Sequence, residues 1–346
     1  MAAASDFRAL QRQNSRRTVA LVAVFITLFT ALGFGLDFAF GLIGYQDGQF
    51  AGLPLITPIA FVASAVQSVV SYYRGSSIVL FSMGARPLYP IKPEEEMCRN
   101  VIREMAIAAR LPEPKAYVMP ESGPNAFATG RDPAHAAICV TSGMLERMDR
   151  EQLQGVIGHE MAHIRDYDIR LMTMIAVLVG GIALLSDLTM RSARAGAFRS
   201  SGSGSGGGGR GNRNNAGAGI ILILVLVLAV LAPVFAQLLA MAVSRQREYM
   251  ADAASVEFTR NPSGLIRALE TIADARDPVD RATRGTAHLF IVNPLNPLRD
   301  DNESALNNLI STHPPLGRRI ARLRAMLGQG GAAEPSPLER GSPRSA

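Results

Sequence analysis

Apolar residues along this chain fall into four long blocks separated by polar stretches. The first, Thr18 to Gly44, reads TVALVAVFITLFTALGFGLDFAFGLIG and carries one charge, Asp37, near its far end. The second runs from Leu53 to Tyr73. The third runs from Ile169 to Met190 and includes Asp187, and the fourth runs from Ile220 to Val243 with Pro233 as a predicted kink. As a helix, each is long enough to cross about 30 Å of hydrocarbon. The first block is too long for a signal peptide, and no small-residue cleavage site leads into a soluble start.

Between the blocks the periodicity changes. Pro93 to Leu111 is amphipathic and opens on Glu94, Glu95 and Glu96, which suits a helix N-terminus. Lys115 to Met119, Ala126 to Thr129 and Ala136 to Thr141 are short β-prone runs separated by Gly, Pro and Asn, and they predict strands. Leu153, Val156, Ile157 and Met161 form an apolar helical face, and Asp149 with Gln152 has the spacing of a capping box. Ser244 to Glu257 reads as helix, Asn261-Pro262-Ser263 breaks it, and Gly264 to Ala273 begins another. No internal repeat is visible. The expected fold class is α+β, mostly helical: a multi-pass membrane protein whose polar part contains a small β-sheet.

This divides the chain into a polar N-terminus (1–17), two spans (18–75), a polar part (76–168) and a third span (169–190). A Gly/Ser/Arg-rich loop (191–219), a fourth span (220–243), a second polar part (244–327) and a tail expected to be disordered (328–346) follow.

Charge decides between partners. The chain is 48% hydrophobic, lacks Trp and has a formal charge of +6. The Arg residues flank the apolar blocks and no nucleic-acid module appears, so the expected partner is a lipid bilayer and not nucleic acid. Arg8, Arg12, Arg16 and Arg17 precede the first block and place the N-terminus in the cytoplasm. Tyr45 to Gly52 has no Lys or Arg and suits the far side, so 76–168 returns to the cytoplasm. The loop 191–219 runs against the rule, with Arg191, Arg194, Arg199, Arg210 and Arg213 on the far side. Either the rule yields there or the last two blocks cross incompletely. Two Cys, Cys98 and Cys139, make a disulfide framework untenable and read as small buried hydrophobes.

The chemistry concentrates in His159-Glu160-Met161-Ala162-His163, within the predicted capped helix. Residues four apart share a helix face, so both imidazoles can meet one metal ion. Glu160 lies about a quarter turn round, in reach of a water on that ion without being a ligand. Zinc in a catalytic site takes a third protein ligand. The acidic and imidazole candidates are Asp166, Asp168, Glu248, Asp252, Glu257, His288 and His313. Asp166 and Asp168 read as a continuation of the same helix, pointing partly away from the His pair. Glu248, in SRQREYMADAAS at the polar edge of the fourth block, is better placed, because His163 sits at the edge of the third. Asp252, one turn on, can accept the remaining N–H of a ligand imidazole. The competing reading is that Arg245, Arg247 and Glu248 form a solvated interfacial ring.

HEMAH, two apolar blocks and then SRQREYMAD, with PNAFATG at Pro124 to Gly130 and STHPPLGRRI at Ser311 to Ile320, resemble the M48 membrane zinc metalloproteases. The resemblance covers roughly Thr18 to Leu327. It implies a zincin-like protease domain with one Zn2+ held by His159, His163 and Glu248, Glu160 as general base and Asp252 behind the ligands. It further implies Asn125 beside the substrate backbone, and His313 and Arg319 lining the cleft. The implied activity is zinc-dependent endopeptidase cleavage of polypeptides, with misfolded membrane proteins as substrates, at a bacterial inner membrane with the site facing the cytoplasm. Glu160 would take a proton from an activated water and return it to the leaving amine. A substrate strand would pair along a sheet edge within Lys115 to Thr141. The Gly/Ser-rich loop departs from the family pattern and bears on topology rather than chemistry.

Two other readings compete: a transporter with an accidental HExxH, and a zinc-dependent scaffold without proteolysis. Transport places ionisable residues within spans, where only Asp37 and Asp187 qualify, both near ends. A purely structural site has no use for Glu160 beside an open coordination position.

Overall fold

The computed structural model describes residues 7–46, 49–181, 245–275, 277, 279–283, 285–294 and 314–330. Two described helices, α1 (Phe7–Ala39) and α2 (Ile56–Ser82), are long and apolar enough to cross a membrane. They pack along each other and are joined by an antiparallel hairpin, β1 (Ile43–Gln46) and β2 (Gln49–Gly52). The contact is close because it is lined by small residues. A Cβ added at Gly33 would lie 2.9 Å from the Thr57 Cα. On α2, Ser64, Ser68, Ser71 and Gly75 are buried, Gly75 against Thr173 and Val177. Ile59, Val62, Val66 and Val69 remain exposed, an apolar stripe of the kind lipid solvates.

Asp37 is fully buried at the far end of α1. Its carboxylate accepts the N–H groups of Leu55, Ile56 and Thr57 at 2.8–3.0 Å and the Thr57 hydroxyl at 2.6 Å. These are orphan donors of the first turn of α2, so Asp37 acts as that helix's cap from a neighbouring element. This accounts for one of the two intraspan acids without transport. Asp187 lies outside the described residues.

Both helices outrun their apolar blocks. α1 begins at Phe7 and not near Thr18, and α2 continues past Tyr73 to Ser82. The turns added to α1 are polar, and Gln11 and Asn14 among them find partners in the protein; those added to α2 end on Val79 and Leu80, which are buried in a core with Met83 and Phe127.

The polar part holds a four-stranded sheet of β3 (Arg86–Pro87), β4 (Lys115–Met119), β5 (Ala126–Gly130) and β6 (Ala136–Thr141), in the order β3-β4-β6-β5. β4 and β6 are parallel, with Ala116 opposite Ile138. β5 is antiparallel to β6, with Ala128 opposite the same Ile138. β5 and β6 are buried along their whole length, and β5 is an edge strand.

Helices α3 (Pro93–Ala109), α4 (Ser142–Arg147), α5 (Arg150–Arg165), α6 (168–181), α7 (Arg245–Thr259), α8 (Pro262–Asp274) and α9 (Leu316–Gly330) surround the sheet. α5 is central, touching α3, α7, α8 and β5. Its start is fixed by reciprocal bonds: Asp149 accepts from the Gln152 N–H, and Gln152 accepts from the Asp149 N–H, both at 2.9 Å. Leu153, Ile157 and Met161 on its apolar face join Ile102, Ile138, Leu265 and Leu269 in one core. Two glycines set its neighbours. A Cβ at Gly155 would lie 2.6 Å from the Leu265 backbone N on α8, and one at Gly158 would lie 2.9 Å from the Ser255 Oγ on α7.

One expectation fails here. Asp166 and Asp168 do not continue the HEMAH helix: α5 ends at Arg165, and Tyr167 takes the left-handed conformation with φ of 63°. The chain then re-enters a helix at Asp168. Nothing in the composition of Asp166-Tyr167-Asp168 signals this break; packing imposes it on a residue type that rarely accepts positive φ.

α6 opens the third apolar block, and its described part is largely internal. Leu171, Met174, Ile175 and Leu178 pack with Leu21 and Phe25 of α1. Its Thr173 hydroxyl meets the Thr129 hydroxyl at 2.8 Å and accepts the Gly130 N–H at 3.1 Å, tying it to β5. The rest of the third block, the loop 191–219, the fourth block with Pro233 and the tail 331–346 lie outside the described residues. α9 continues to Gly330, past the 328 boundary expected for the tail.

Candidate active site

α5 and α7 bring three donor groups together. His159 Nε2 and His163 Nε2 are 3.2 Å apart. Glu248 Oε2 lies 3.7 Å from His159 Nε2, and its Oε1 lies 3.7 Å from His163 Nε2. All three residues are buried. Burial also disposes of the solvated-ring reading, since Glu248 is 3% and Arg247 is 9% exposed.

The outer ring nitrogens determine what faces inward. His159 Nδ1 is 2.9 Å from Asp252 Oδ1, and His163 Nδ1 is 3.1 Å from Asp168 Oδ2. A carboxylate accepts from an N–H, so each Nδ1 carries a proton, and in the neutral ring that a cation binds each Nε2 presents a lone pair. Two lone pairs and a carboxylate thus converge within 4.8 Å of one another, an arrangement that calls for a cation.

Electrostatics follow from burial and these contacts. Burial lowers His163, but the Asp168 hydrogen bond and the Glu248 charge outweigh it and push the imidazole up to about 9. For His159 burial prevails over the Asp252 hydrogen bond, and its pKa falls. Burial pushes Glu160 up to about 7, opposed by His163 and reinforced by Glu248. The Glu160 carboxylate also accepts the Ala128 backbone N–H, which places it under β5. Burial raises Asp168 and Asp252 as well, yet both end below the usual range. His163 and Arg247 hold down the first, and Arg319 and His159 the second.

Arg319, on α9, does not line an open cleft. It is completely buried and donates Nε and Nη2 to Asp252 at 2.9 and 2.6 Å, and Nη1 to the Ile291 carbonyl at 2.8 Å. Its Nη1 is 3.8 Å from Glu248 Oε2. Asn125 is also buried, donating to the Val292 carbonyl at 2.9 Å. His288 lies apart from the cluster, with Nε2 3.0 Å from the Met172 carbonyl oxygen, and Glu257 is exposed. Asp166 meets Arg165 and is not among the converging donors. His313 lies outside the described residues.

Part of the outer edge of β5 is filled by the chain itself. Phe290 bridges Phe127 antiparallel, and Ile291 donates to the Ala126 carbonyl at 3.0 Å. Sequence reasoning missed this strap. It also missed Asp168 as the partner of His163, together with Arg247 and Asn14 behind it. The only available signal was an acid five positions past His163 on an assumed helix.

A helical HExxH beneath a small mixed sheet, faced by a glutamate from another helix, defines a metallopeptidase. Residues 93–327 match the model of peptidase family M48. A protein named Protease HtpX homolog from Thermoanaerobacter pseudethanolicus is 39% identical over 317 residues, 92% of this chain and 97% of that one. One of the same name from Lactiplantibacillus plantarum is 40% identical over 314 residues, 91% of this chain and 98% of that one. The crystal structure of S. mikatae Ste24p aligns with a TM-score of 0.46 and 18% identity over 91% of this chain, which spans 66% of that protein's length. The chain belongs to peptidase family M48 and is a metal-dependent peptidase.

Proposed function

We propose that this chain is a multi-pass, membrane-bound zinc endopeptidase that degrades misfolded membrane proteins, its site facing the cytoplasm at a bacterial inner membrane. The observation that carries the zinc assignment is the spacing of the donor groups: the two Nε2 atoms are 3.2 Å apart, and each lies 3.7 Å from a different oxygen of Glu248. Ligand bonds of about 2.0–2.2 Å in a tetrahedron give ligand–ligand edges of about 3.3–3.6 Å. Two imidazoles and one carboxylate are also the donor types zinc takes in hydrolases, with one position left open. His159, His163 and Glu248 would hold the ion.

When bound, zinc supplies Lewis acidity toward a water and the scissile carbonyl. Asp252 and Asp168 keep both imidazoles in the Nδ1–H tautomer. Glu160, with its pKa near neutrality, takes a proton on its carboxylate and passes it to the leaving amine. Arg319 locks Asp252 and balances the buried acids. The β5 edge suits a substrate backbone of any sequence. Using its full length requires the Phe290–Val292 strap to give way. The membrane assignment rests on α1, α2 and the HtpX-named relatives.

The test is casein degradation by purified full-length protein in detergent. Chelation should abolish it and zinc should restore it. Glu160→Gln should hold wild-type zinc while losing cleavage by about 10²-fold or more. Wild-type cleavage by the chelated protein or by Glu160→Gln would overturn the proposal.

A further inference from the structure

We infer that Asn14, on the first membrane helix, is a positioning residue for His163, acting through Asp168. The inference rests on the reading of His163 as a zinc ligand. Asn14 is 2% exposed although it lies in the polar turns of α1 that precede the apolar block. Its Nδ2 donates to Asp168 Oδ1 at 2.6 Å and to the Asp166 carbonyl at 2.9 Å. Gln11, one turn earlier, donates to the Arg165 carbonyl at 2.7 Å. These carbonyls belong to the end of α5, where no helical N–H remains to satisfy them. α1 therefore supplies the C-terminal cap of the helix that carries HEMAH.

The same carboxamide sets the rotation of Asp168. Oδ1 receives Asn14 from one side and Arg247 Nη1 from the other, at 2.8 Å. With Oδ1 so held, Oδ2 is turned toward His163 Nδ1, 3.1 Å away. The direction of the Nε2 lone pair depends on that bond, because the partner of one ring nitrogen fixes tautomer and orientation for the other. Without Asn14, Arg247 is the remaining donor given to Oδ1, and it joins the opposite side of the site through α7. The chain Asn14–Asp168–His163 makes the N-terminal turns of α1 part of the metal site rather than a leader to an anchor.

The experiment is a double-mutant cycle on zinc affinity, measured by competition with a chromogenic chelator on full-length protein in detergent. Losing a direct hydrogen-bond partner of a ligand weakens metal binding about 10–100-fold, the loss expected for Asp168→Asn. Asn14→Ala, one bond further out, should weaken it by about 3–10-fold, short of that range. Combining the two should add nothing to Asp168→Asn, whereas a packing role would give additive losses. Wild-type affinity in Asn14→Ala, or additivity in the double variant, overturns the inference. His163→Ala separates the premise: unchanged zinc affinity there refutes the ligand assignment itself. If Asn14→Ala loses its cooperative melt, the same cycle with Asn14→Ser decides.

Discussion

Arg319→Met removes a guanidinium from a cluster in which Glu160, Glu248 and Asp252 are all buried, at a position with no exposed surface. Met nearly conserves the volume, so the loss is electrostatic and not a cavity. Two charge-assisted bonds to Asp252 disappear, along with the bond to the Ile291 carbonyl. Breaking a buried ion pair by removing one partner costs about 3–5 kcal/mol, because the other charge stays in a poor solvent. For a domain of this size, each kcal/mol shifts melting by about 2–4 °C, so the variant should melt roughly 6–20 °C below wild type. The chain lacks Trp but offers a reporter in its free cysteines, both buried. Burial pushes the Cys98 thiol up to about 12 and that of Cys139 higher still, so neither reacts until the core opens. A thiol-reactive fluorophore at one fixed scan rate therefore reports melting of the chelated protein. Arg319→Lys keeps the charge but not the planar fork and should fall between the two. A shift of less than about 2 °C in Arg319→Met would refute the argument that Arg319 neutralises the site.

Three further outcomes are expected. In metal-free protein His163 is raised from 6.5 to about 9 and Glu160 from 4.5 to about 7, so the folded state binds more protons than the unfolded chain. The stability each contributes is complete below its unfolded value and is lost as pH rises through its folded one: Glu160's share goes between pH 4.5 and about 7 and His163's between 6.5 and about 9, so chelated melting should fall between pH 6.5 and 9, where His163 dominates. A rise over that interval would contradict the assignment; bound zinc, which replaces the His163 proton, should flatten the fall. Glu248→Ala should lose most bound zinc by elemental analysis, and full occupancy would shift the third donor elsewhere. Gly155→Ala should destabilise by about 1–3 kcal/mol, because its Cβ meets α8 backbone at 2.6 Å. Gly158→Ala should cost less, since the atom it meets is the Ser255 hydroxyl; equal melting points for the two would count against this packing.

Local features were legible in the sequence because their physics is local. The apolar face and the Asp149–Gln152 cap predict α5, and the observed helix carries both. The three strand runs agree with β4, β5 and β6 to within one residue, since each is a β-prone run between turn formers. A pair of His four apart is on one helix face wherever that helix is placed. The left-handed turn at Tyr167 was not legible, because Asp and Tyr are acceptable helix residues and only packing selects positive φ there. That turn, and not the acidic composition, brings Asp168 back to His163.

The sequence alone determined the HExxH helix, the strands and the apolar segments, each encoded in a short run of consecutive residues, and the family pattern, carried by several such runs in order. Tertiary structure decided which distant groups meet. Arg319 reaches His159 across 160 positions, Asn14 reaches Asp168 across 154, and the Phe290–Val292 strap settles on the β5 edge. Periodicity says which face a residue occupies, but only close packing of α1, α5, α7 and α9 fixes which faces share a buried charge.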